Sequence, residues 1–176
     1  QFAQQLAREL SNLQPGPYLA NDKIAMIDLG KNFQDELTDH ATVICDEWMT
    51  VNDAARRRED VQWLLRDVNS TQKLIEKAGV EEKNLFWAAH QLTIVTTNTP
   101  ISVAADCVSD INAVIRRIDF PIHIIPPALV NGQFPQTANG AIDWSQFSFQ
   151  YMTYSNGDYA PNGQSVSYDS VVYDVA

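Results

Sequence analysis

From Asp119 to Ala176 the chain carries neither Lys nor Arg. The same stretch holds five of the eight prolines and five of the six tyrosines. Ahead of it both signs of charge are mixed through segments with helix-like apolar spacing. The C-terminal stretch has no helical stripe and little mass for a core of its own. The boundary at Ile118 therefore predicts a division into a helical body, residues 1–118, and an extended, β-rich arm, residues 119–176. The arm must pack on that body or on a neighbouring subunit.

The 176 residues suffice for a real hydrophobic core, and 45% hydrophobic content argues against general disorder. A formal net charge of -10 repels phosphate backbones, which predicts no direct nucleic-acid partner. The basic run Arg56-Arg57-Arg58 is followed at once by Glu59-Asp60, the pattern of a solvated helix face with internal ion pairs. No apolar run approaches the ~20 residues of a membrane span. Cys45 and Cys107 both fall in predicted helices, and their pairing is left open. The sequon Asn69-Ser70-Thr71 also lies inside a predicted helix and reads as a chance match.

Phe2, Leu6, Leu10 and Leu13 mark a short first helix, stopped by Pro15-Gly16-Pro17. Asn21-Asp22 is read as the cap of a long second helix with the stripe Met26, Phe33, Leu37, Ala41, Ile44, Trp48 and Val51, which Gly30 weakens. After Asn52-Asp53 a third helix carries Val61, Leu64, Leu65, Val68 and Ile75, ending near Gly79. A fourth spans about 81–95 through Leu85, Phe86, Ala89, Leu92 and Val95. A fifth starts at Thr99-Pro100 and carries Ala104, Val108, Ile111, Ile115 and Ile118. The expected fold is mainly α, within the α+β class: an antiparallel bundle of four long helices plus a short N-terminal helix. The arm follows, with Ile122–Ile125 as an edge strand. Its loose β-hairpin pairs residues 145–154 with 166–175, with a bulge near Ser170.

Chemistry is sparse on this reading. His40, His90 and His123 are scattered over three segments. Asp35, Glu36, Asp39 and His40 cluster, yet a solvated acidic face explains them better than a metal site. Asp46 and Glu47 after Cys45, and Asp106 and Asp110 around Cys107, would raise rather than lower a thiol pKa. No G-x-x-x-x-G-K-[ST] or G-x-G-x-x-G run occurs. No catalytic residue, cofactor or metal is therefore assigned.

The expectation is a non-enzymatic subunit that self-assembles, of the virion, tail or extracellular filament kind. Its partners would be copies of itself or other structural subunits. Phe147, Phe149, Tyr151, Tyr168 and Tyr173 are the expected subunit contacts, because aromatic residues are enriched at contact cores. The rival is a secreted monomeric bundle that binds a small apolar ligand or a surface.

Overall fold

The computed structural model describes residues 1–13, 24–30, 37, 38, 40–68, 73, 74, 78, 79, 81, 87, 88 and 90–176. Its contacts divide the chain into two compact units. One comprises Gln1 and Ala3–Arg117, the other Phe2 and Ile118–Ala176.

The first unit is built on a parallel sheet. Strands β1 (Ile24–Ile27), β2 (Thr42–Cys45) and β5 (Leu92–Val95) lie in the order β1-β2-β5. Ile24 pairs with Thr42, and Thr42 with Leu92, so all three strands end level. Every residue of β2 is buried. A strand covered on both faces shows an unbroken apolar run rather than alternation, and Thr-Val-Ile-Cys is such a run. Helix α1 (Phe2–Leu13) packs Ala3 and Ala7 on Ile44, with Ile24 and Ile94 alongside. Small residues let the helix approach the sheet closely. Parallel strands need a crossover. The chain from β2 to β5 makes it through α2 (Ala54–Asp67) and the short antiparallel ribbon β3 (Lys73–Leu74) and β4 (Trp87–Ala88). Asp53 caps α2, its side chain accepting the Arg56 amide at 2.8 Å. Two single-turn helices follow, α3 (Ser102–Ala105) and α4 (Asn112–Ile115), with Ala104 and Val114 fully buried. Arg117 ties α4 to the end of α2, donating to the Ala113 carbonyl at 2.6 Å and the Val68 carbonyl at 3.1 Å.

The second unit is an antiparallel sheet, β6 (Ile122–Ile125), β7 (Ser148–Ser155) and β8 (Asp158–Pro161), in that order. Asn156 and Gly157, with φ of 52° and 89°, close the β7–β8 hairpin. Both central residues then have the left-handed backbone that such two-residue turns require. Helix α5 (Tyr168–Val175) completes the unit, capped by Ser167, whose Oγ accepts the Ser170 amide at 3.2 Å. Phe149 is fully buried and packs with Phe2 and Tyr168 at centroid distances of 5.4 and 5.9 Å.

The four-helix bundle is therefore corrected to an α+β fold. Among the described residues there are five helices, of which only α1, α2 and α5 exceed one turn, and two three-stranded sheets. The long second helix is replaced by β1 and β2. Their apolar residues happened to fall at helical intervals, and a short buried strand cannot be told from a helix segment by periodicity alone. Gly30 was the true punctuation. Its amide donates to Asp28 Oδ1 at 2.8 Å, and a Cβ there would stand 2.9 Å from that oxygen. The fourth helix is replaced by β4 and β5. The fifth is broken into α3 and α4, where Asp110 Oδ1 accepts the Asn112 amide at 3.0 Å and restarts the chain. The expected second hairpin strand is α5: Tyr168, Val171 and Val172 are buried at i, i+3 and i+4, so the apparent bulge at Ser170 was helical spacing. Pro15-Gly16-Pro17, Asn21-Asp22 and the sequon at Asn69 lie outside the described residues. Among the described residues no helix is long and apolar enough to cross a membrane.

Candidate functional site

In open sheets with parallel strands, ligands bind outside the carboxyl ends of the strands. At that edge β2 runs directly into Asp46 and Glu47, and β5 into Thr96 and Thr97. Asp46 and Glu47 are exposed although Cys45 before them and Trp48 after them are buried. Two adjacent carboxylates thus emerge at the end of the middle strand, flanked by core residues that fix their backbone.

The two strand ends are tied together. The Thr96 hydroxyl donates to Asp46 Oδ1. The Glu47 amide donates to Thr96 Oγ1 at 3.2 Å, and the Trp48 amide to the Thr96 carbonyl at 2.9 Å. The Thr97 hydroxyl donates to the Trp48 carbonyl at 2.6 Å, and the Thr99 hydroxyl to the Met49 carbonyl at 3.0 Å. Residues 96–99 are therefore laced along residues 46–49.

The segment after Asp46 is strained. Glu47 and Met49 have φ of 58° and 59°. Neither residue type favours the left-handed region, which costs roughly 1–2 kcal/mol at each non-glycine position. Strain of this kind persists only where surrounding contacts over-determine it. Here a turn closes on Thr50, whose hydroxyl donates to the Glu47 carbonyl at 2.7 Å. Asp60, buried on α2, holds the other side. Its Oδ2 accepts the Met49 amide at 3.1 Å, and its carbonyl accepts the Trp48 indole N–H at 2.9 Å. The Arg56 Nε stands 3.5 Å from Asp60 Oδ1. Burial pushes the Asp60 carboxyl above the usual range, while the Met49 amide and Arg56 pull it back.

Asp46 offers hard oxygen donors of the type that suits Mg²⁺, which is bound through one or two carboxylates plus substrate phosphates. Among the described residues no cluster of three His, Cys, Asp or Glu side chains exists that would cage a metal by protein alone. The donor set thus fits a cation shared with a phosphorylated ligand and does not fit a closed structural site.

The aromatic residues expected at subunit contacts occupy different settings. Phe147, Phe149 and Tyr168 are buried within this chain. Tyr151 is half-buried, and its hydroxyl donates to Asp174 Oδ2 at 2.5 Å. Tyr173 is 82% exposed. Of the acidic cluster, only His40 lies in the described region. It stands just ahead of β2, at the end of the sheet opposite Asp46, and its Nδ1 accepts the Thr38 amide at 3.1 Å. In the basic run, Arg56 pairs with Glu59 and Asp60, and Arg57 donates to Asn52 at 3.3 Å.

Cys45 and Cys107 are both free thiols. Cys45 lies in β2 rather than a helix, and burial first, then Asp60 and Asp46, push it up to about 12. Only the thiolate reacts. Native protein treated with iodoacetamide at pH 8 should therefore take up label at Cys107 and none at Cys45. Denatured protein should take up label at both, as read by peptide mass spectrometry.

Sequence reasoning used Asp46 and Glu47 only as neighbours of Cys45. The available signal was an apolar β-branched run ending abruptly in two acids, repeated at Leu92–Val95 as a run ending in two threonines.

No curated protein matches the chain. The model of the RNA helicase family matches residues 1–99, which take in the whole parallel sheet and both strand ends that form the site. This finding overturns the expectations of a structural assembly subunit, of a protein that is no enzyme, and of a chain without direct nucleic-acid contact. It points instead to a nucleotide-binding, helicase-like function. Because the matched region is more than half of the protein, the chain belongs to the RNA helicase family.

Proposed function

We propose that the carboxyl end of the parallel sheet is part of a nucleoside-triphosphate hydrolysis site whose turnover drives work on RNA. The observation that carries this reading is the exposed Asp46–Glu47 pair at the end of the central buried strand, keyed to Thr96 of the adjacent strand.

Phosphoryl transfer asks the protein mainly for positioning and electrostatic stabilisation. Asp46 would hold Mg²⁺, which would supply charge neutralisation at the phosphate oxygens. Thr96 fixes the Asp46 carboxylate by donating to one of its oxygens. Glu47, one residue on, orients the attacking water and accepts its proton. Its backbone is pinned through the Thr96 and Thr50 hydroxyls. No G-x-x-x-x-G-K-[ST] run occurs in the 176 residues, so no residue here is assigned to cradling the phosphates.

The test is phosphate release from ATP by the protein, with and without single-stranded RNA. Hydrolysis should require Mg²⁺, stop on addition of EDTA, return with excess Mg²⁺, and rise with RNA. Absence of metal-dependent hydrolysis overturns the reading.

A further inference from the structure

Asp60 is 4% exposed, well inside the first unit, yet it carries a carboxylate. A buried carboxylate is retained at a cost unless its oxygens are engaged. Its engagement here is specific. One oxygen accepts the amide of Met49, and the residue's own carbonyl accepts the Trp48 ring N–H. Both contacts fall on the segment that follows the acidic pair. Both Glu47 and Met49 in that segment have left-handed backbones that neither side chain favours. Thr96, Thr97 and Thr99 hold the segment from the β5 side, and Asp60 holds it from the α2 side.

We infer that Asp60 is a positioning residue: by accepting the Met49 amide it locks the Glu47–Trp48–Met49 turn, with its left-handed Glu47 and Met49, and so fixes Glu47 beside Asp46 and Thr96. The functional half of this inference rests on the hydrolytic reading above. The structural half does not, because the turn can be observed without turnover. Asp60 makes no contact with substrate on this account. It acts through the backbone, as residues around an active site do when they hold reacting groups in geometry.

The experiment combines amide hydrogen exchange with steady-state kinetics in the protein. Asp60→Ala removes both carboxylate oxygens. Asp60→Leu removes them while keeping the branched shape and filling the space, and guards against an effect of the cavity alone. Asp60→Asn keeps an acceptor for the Met49 amide. In the Ala and Leu variants, exchange at Met49 should quicken at least about tenfold while the amides of Val43 and Ile44 keep their protection. The turnover number should fall roughly 10–100-fold with KM for nucleotide within about twofold, the pattern of an interaction that matters only in the transition state. Asp60→Asn should restore turnover to within about threefold of the parent.

Unchanged Met49 protection in Asp60→Ala and Asp60→Leu overturns the positioning role alone. So does a loosened turn with parental turnover, in a protein whose Glu47→Gln variant is inactive. Equal losses in kcat and in β2 protection also overturn it, since they mark a general structural role. Parental turnover in Glu47→Gln takes Glu47 out of the chemistry, and with it the functional half of the inference, whereas absence of metal-dependent hydrolysis in the parent overturns the hydrolytic reading itself.

Discussion

On the proposed hydrolytic reading, Glu47→Gln should lower the turnover number for triphosphate hydrolysis by about 10²–10⁴-fold, the span that a positioned general base contributes. At 1.36 kcal/mol per tenfold, that is roughly 3–5 kcal/mol of barrier. Gln has the size of Glu and leaves the backbone contacts in place, including the Glu47 amide to Thr96 Oγ1 and the Glu47 carbonyl to the Thr50 hydroxyl. What it removes is the carboxylate proposed to take a proton from water. Nucleotide affinity should therefore stay near the parent's, and the loss should appear in kcat. Asp46→Asn is the contrasting change. It weakens the proposed metal ligand, so its defect should shrink as Mg²⁺ is raised, whereas that of Glu47→Gln should not. Steady-state rates across a Mg²⁺ series, with nucleotide affinity from a fluorescent analogue, separate the two. A parental kcat in Glu47→Gln removes Glu47 from the chemistry.

Phe149→Ala destabilises the second unit by about 3–5 kcal/mol, the usual cost of emptying a buried aromatic site. Phe149 is fully buried in the central strand β7, stacks with Phe2, packs at a tilt against Tyr168, and exchanges backbone hydrogen bonds with Val166. Domains hold only about 5–15 kcal/mol in total, so most of the margin of a unit this small would go. We propose that Ile118–Ala176 folds as its own cooperative unit. Amide exchange in β6, β7 and β8 should then quicken in Phe149→Ala while β2 keeps its protection. Equal loss in β2 would show that the two units unfold together. A loss of stability below about 1 kcal/mol would mean that neighbouring side chains close over the gap.

Helices with local signals were legible. α1 follows from Leu6 and Leu10 at helical spacing, and α2 from Asp53 as a cap followed by Val61 and Leu64. β6 was legible too, as a short apolar run stopped by prolines. Each depends on contacts within a few residues, where propensity and capping act. α5 was misread because eight residues of Tyr, Val, Asp and Ser satisfy alternation nearly as well as helical spacing, and Ser167 as a cap decides between them. β1, β2 and β5 were lost inside predicted helices. A four-residue strand has no stability or signature of its own and takes both from its neighbours in the sheet.

The sequence by itself determined where α1 forms and where α2 starts, though not that α2 ends at Asp67 instead of near Gly79, and that Arg56 would answer to the acids beside it on the same helix. Capping, dipole and i,i+4 energies are local, so they are written in adjacent residues. Only the tertiary structure decided that Asp46 and Thr96, 50 residues apart, share one hydrogen bond. It also decided that a carboxylate on α2 braces the turn between them. Parallel pairing joins distant segments, and its free energy comes from burying both faces of β2 at once. No window of sequence around Asp46 contains that information.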